Sequence, residues 1–123
     1  MKMAPLLLPG LVSFSFSLQL GFAADTRPPD AVLELQSFAV YALSRGKGLS
    51  EDGRKALDGF RQLLREMKAE GQVVEVSDAR IGIEGETRVC AKFASSELAG
   101  KAWTQLQQLS AGADLVQLKP EKC

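Results

Sequence analysis

AVLELQSFAVYAL, residues 31–43, reads in two periods, and each leads to a different architecture. With a period of two, Leu33, Leu35, Ala39, Tyr41 and Leu43 share one face with Ser37, while Phe38, Val40 and Ala42 share the other with Glu34 and Gln36. A strand that is apolar on both faces toward its end suits an interior position in a sheet. With a helical period, Leu35, Phe38, Ala39, Ala42 and Leu43 fall together, with Asp30 placed to cap the start and Gly46 to end the helix. Periodicity alone keeps both readings open.

Downstream the pattern is plainer. Ser50 is an N-cap candidate, and Glu51 and Asp52 follow in the first turn, where the helix dipole favours anions. Leu57, Phe60, Leu64 and Met67 then recur at a spacing of three and four, which predicts a helix over 50–70 stopped by Gly71. Residues 72–93 predict a β-hairpin. Val74 and Val76 alternate, Ile81 and Ile83 alternate in the opposite parity, and the switch predicts a bulge across Ser77-Asp78-Ala79. Glu84-Gly85-Glu86 is the expected turn, and Val89, Ala91 and Phe93 return opposite Arg88, Cys90 and Lys92. A second helix is predicted over 95–111, capped by Ser95, striped by Leu98, Ala102, Leu106 and Leu109, and ended by Gly112. A last strand over 113–118 stops before Pro120.

With 31–43 as a strand the element order is βαββαβ. The expected fold is therefore α+β: a ferredoxin-like sandwich with a four-stranded antiparallel sheet and two helices on one face. The alternative, with 31–43 helical, is ααββαβ.

Upstream, MKMAPLLLPGLVSFSFSLQLGFAA carries one charge, Lys2, then an apolar run. Gly21 and Ala23 supply small residues at −3 and −1 of a cleavage site after Ala23. A basic start, an apolar stretch and a small-residue exit predict a signal peptide over 1–23. Pro9-Gly10 and the serines at 13, 15 and 17 argue against a retained span. A flexible lead over 24–30 and one α+β domain over 31–123 follow. Periplasmic or secreted localisation is the expectation.

Composition excludes several chemistries. The chain of 123 residues carries 15 Lys and Arg against 15 Asp and Glu, so no basic excess announces a nucleic-acid partner. There is no His, which removes the commonest general base, and the two Cys have no Cys-x-x-Cys spacing. No metal, cofactor or catalytic residue is expected, and the chain reads as a non-enzyme. No association with a membrane is expected once the leader is removed.

In an oxidising compartment Cys90 and Cys123 are most simply a disulfide. By alternation Cys90 faces away from the helices, so residues 119–123 would fold back over the open face of the sheet. Phe38 and Val40 are expected on that face beside Cys90, and with Trp103 they are the candidates for a binding face. The loop Ser44-Arg45-Gly46-Lys47-Gly48 precedes a helix start, which makes Arg45, Lys47 and Ser50 anion-binding candidates. Arg54, Arg61, Arg65 and Lys68 form a basic stripe beside the apolar one on the first long helix, suited to an acidic partner or simply to solvent. Together these features imply an exported protein-binding accessory module. Its partner would be another envelope protein or a second copy of the chain, and a small anion- or ligand-binding protein is the alternative.

Overall fold

Residues 31–43 are divided between the two readings. In the computed structural model, which describes residues 27–123, a short helix α1 (Asp30–Leu35) is followed at once by strand β1 (Ser37–Ala42). The hinge is Gln36, the single non-glycine residue with positive φ among the described residues, at 58°. Its N–H closes the helix on Val32 O at 2.8 Å, and its carbonyl accepts from Phe93 N–H at 2.8 Å, which starts the sheet. Asp30 does not cap the helix. Pro29 holds that position with its fixed φ of −62°, and Asp30 is the first helical residue, where its charge complements the dipole. Gly46 ends no helix and lies in the loop after β1. The signal-peptide reading of 1–23, and 24–26 of the lead, lie outside the described residues.

The remaining elements are α2 (Glu51–Ala69), β2 (Val73–Arg80), β3 (Thr87–Phe93), α3 (Ser96–Leu109) and β4 (Val116–Pro120). Ser50 Oγ accepts from Gly53 N–H at 3.0 Å and Ser95 Oγ from Leu98 N–H at 3.2 Å, so both predicted caps form. At the far end of α2, Gly71 takes φ 73°, its N–H bonds Lys68 O at 3.0 Å, and Gln72 N–H bonds Met67 O at 2.9 Å. This paired closure needs a left-handed residue, which glycine supplies without a Cβ clash.

The four strands form one antiparallel sheet in the order β2-β3-β1-β4, so the class is α+β. The ααββαβ alternative fails, because Ser37–Ala42 pairs on both sides as an interior strand. Phe38 shows which face the long helices cover. Its ring stacks on Phe60 of α2 and on Phe93, each at 5.5 Å, and meets Trp103 of α3 edge-on at 5.2 Å. Val40, Val89, Leu64 and Leu106 complete this core. α1 lies against α3, where Gly100 leaves room for Pro28 and Leu33; a Cβ there would sit 3.2 Å and 3.3 Å from them. Ser96 Oγ donates to Leu33 O at 2.6 Å, serving a carbonyl that so short a helix cannot bond internally.

The bulge expected across Ser77-Asp78-Ala79 is absent: these residues pair in unbroken register with Cys90, Val89 and Arg88. The register of β2 against β3 shifts between Val73 and Glu75, not across 77–79. Ile81 and Ile83, whose parity prompted the prediction, lie beyond β2 in the connecting loop.

Candidate functional site

The face of the sheet away from α2 and α3 carries Ala39, Tyr41, Arg88 and Cys90, with Ala39 opposite Cys90 and Tyr41 opposite Arg88. The chain end crosses it. Cys123 is disulfide-bonded to Cys90, with Cα atoms 5.6 Å apart, as the sequence reading anticipates. Glu121 anchors the same crossing. Its carbonyl accepts from Ser37 Oγ at 2.6 Å, and its carboxylate accepts from Tyr41 OH at 2.7 Å and from Arg88 Nε at 2.7 Å. Burial by itself would push the Glu121 carboxyl up. The bonds from Tyr41 and Arg88, and the charge of Arg88, more than offset this and hold it below its ordinary value. Tyr41 is pushed up, first by its bond to the Glu121 carboxylate and then by burial. Cys90 and Ala39 are fully covered as a result. The tail thus covers the middle of this face, while Glu75, Ala79 and Lys92 on the same face stay exposed.

Phe38 and Val40 therefore drop out as binding-face residues. Both are fully buried on the opposite, helix-covered face. The alternation of β1 places Phe38, Val40 and Ala42 in the core and Ala39 and Tyr41 beside Cys90, so the expectation had the right strand and the wrong parity. Trp103, 5% exposed, is part of the same core.

The anion-binding candidates are largely engaged elsewhere. Arg45 pairs with Asp114 at 2.7 Å. Ser50 spends its oxygen on the α2 cap, and the nearby Gly48 N–H donates to a carboxylate, Glu84 Oε1, at 3.1 Å. Lys47 is exposed and makes no ion pair among the described residues. A carboxylate already seated among these donors argues against a second anion there.

What stays open lies along β2. Among the described residues, the exposed large hydrophobic side chains are Val74, Val76, Ile81, Ile83 and Leu109; four of these five fall within 74–83. Ile83 is 96% exposed, yet its loop is well tied. Ile81 N–H bonds Glu86 O at 2.8 Å, Glu84 N–H bonds Glu86 Oε1 at 3.1 Å, and Thr87 Oγ1 bonds Gly85 O at 2.7 Å. A fully exposed Ile on an ordered loop is unremarkable alone; with Val74, Val76 and Ile81 it makes four exposed apolar side chains within ten consecutive residues of β2 and the loop after it.

Next to this strip is a cleft of about 220 Å³ between α2 and the sheet. Leu64, Val76 and Val89 make its floor, and three cations, Arg61, Arg65 and Lys68, with one carboxylate, Asp78, stand at its rim. Arg61 is fixed by two bonds to Asp78, 2.7 Å and 3.0 Å, which tie α2 to β2. Arg65 and Lys68 are exposed and make no ion pair among the described residues. The basic stripe read from the sequence thus ends as a cationic rim over an apolar floor. The sequence did not reveal that this rim borders a free sheet edge, because strand order is a tertiary property. No helix among the described residues is long and apolar enough to cross a membrane. No family model, curated protein or solved structure matches the chain.

Proposed function

We propose that the chain is a small exported, non-enzymatic accessory module that binds another protein of the envelope through its 74–83 strip. The observation that carries this reading is the exposure of Val74, Val76, Ile81 and Ile83 along the edge strand β2 and its following loop, while the tail covers Ala39 and Cys90 on the sheet face away from the long helices. Apolar side chains left together at an edge are a recognition signature, whereas singly scattered ones are not. Export is supported by the leader pattern of 1–23 and by the Cys90–Cys123 disulfide, a bond that persists outside the reducing cytosol.

The fold proposed for this module is the ferredoxin-like sandwich with a short helix added before its first strand. The order β2-β3-β1-β4, read from the other edge, runs 4-1-3-2. Its support is that both long helices touch Phe38 and so share one face. A fold of this kind hosts unrelated activities, so the function rests on the edge and not on the architecture.

The test is a photo-crosslinking amino acid at position 83 of the full chain, expressed in its native host. A discrete adduct is expected there. It should be absent with the probe at position 108 on α3, and lost when Val74→Glu and Ile81→Glu are added. Absence of any adduct from positions 74, 81 and 83 would overturn the reading.

A further inference from the structure

We infer that the partner presents an extended segment with acidic side chains at alternate positions, and that this segment joins the sheet as a fifth strand beside β2. The inference rests on the protein-binding reading above and names what the site takes. Among the described residues β2 is an edge strand, with β3 as its sole neighbour. Ile81 N–H bonds Glu86 O, so by the antiparallel alternation Glu75, Ser77 and Ala79 direct their backbone groups to β3. Val76, Asp78 and Arg80 then direct theirs outward, a ready template for strand addition. β4, the other edge, is shorter and ends on Pro120, which has no N–H to offer.

The side chains specify the occupant. Val76 and Asp78 lie on the α2 side of the sheet, as the Arg61–Asp78 pair and the cleft floor establish. Alternate side chains of an added strand on this side enter the space between the β2 edge and α2, under Arg65 and Lys68. Those two cations have no partner among the described residues. Glutamate fits best there: its methylene stem meets Leu64 and Val76 while its carboxylate reaches the rim. A second copy of this chain fits poorly. A two-fold axis at the β2 edge would set two α2 helices side by side and oppose the Arg61, Arg65 and Lys68 stripe to itself, a like-charge juxtaposition.

The experiment uses the exported chain, labelled with ¹⁵N, and two capped octapeptides, one alternating glutamate with valine and one alternating lysine with valine. The acidic peptide should shift the amides of residues 76–80 and slow solvent exchange at Val76, Asp78 and Arg80. The lysine peptide should do neither. Arg65→Glu with Lys68→Glu, both at exposed helix positions, should weaken the acidic peptide about tenfold or more and admit the lysine one. N-methylation of alternate peptide residues should abolish binding, because it removes the strand ladder and keeps the charges. Equal binding of both peptides, shifts confined to other elements, or no binding at all would overturn the inference. If the adduct at position 83 survives Arg65→Glu with Lys68→Glu unchanged, the acidic-strand inference fails while the protein-binding reading stands; loss of every adduct from wild type defeats the reading itself.

Discussion

Glu121 ties the tail to β1 and β3 through Ser37, Tyr41 and Arg88, and its carboxylate takes the bonds from Tyr41 and Arg88. Its carboxyl is held below the ordinary value in the folded state. The stabilisation it supplies is therefore complete above the ordinary carboxylate range and is lost as pH falls through the lowered folded value. Glu121→Gln should cost about 1.5–3 kcal/mol near neutrality, the scale of hydrogen bonds to a charged group. In urea melts of wild type and variant, that gap should be full at about pH 7 and shrink by about pH 3. A gap independent of pH would show that Glu121 contributes packing alone. The sequence carries no local sign of this cluster, because the groups that hold Glu121 lie 33 to 84 positions away and meet only when β1, β3 and the tail are aligned. Cys90 and Cys123 were legible, since cysteine chemistry limits the choice of partner.

At the scale of elements, local chemistry was readable wherever it acted within one turn. Ser50 and Ser95 cap α2 and α3 through their own side chains, and Gly71 closes α2 through its own φ. Ser50→Ala should lower stability by about 1 kcal/mol, whereas Ser50→Gly should cost only a few tenths of that. Equilibrium denaturation of the two variants checks it, and equal losses would mean that the hydroxyl does not carry the cap. The division of residues 31–43 was not readable, because α1 and β1 meet at a glutamine in a conformation that glycine or asparagine ordinarily marks. That conformation is supported by contacts from elsewhere: Phe93 N–H on the Gln36 carbonyl and Ser96 on Leu33 O. The expectation of a bulge across 77–79 failed for a related reason. Ile81 and Ile83 have strand-like composition, but β2 ends at Arg80 and the two side chains stand exposed beyond it.

For the whole molecule, the disulfide is the covalent link between separated parts of the chain. It spans 33 positions and fastens the chain end to a fully buried residue of a central strand. Replacing both cysteines by alanine should cost roughly 3–4 kcal/mol on the chain-entropy model. Protein taken from its native compartment should resist alkylation until reduced and should begin at Ala24; two thiols that react without reductant, or an intact leader, would contradict export. Composition, caps and periodicity settled from the sequence the α+β class and the extent of the two long helices, because each depends on neighbours within a few residues; the cysteine count made a Cys90–Cys123 pair the expectation, and the fold brings the two together. Only the tertiary arrangement decided that Phe38 and Val40 turn inward, that the tail crosses the other sheet face over Ala39 and Cys90, and that the basic side of α2 borders an edge strand. Those outcomes depend on strand order and on the parity of β1, and both are set by which side chains the assembled sheet can bury together.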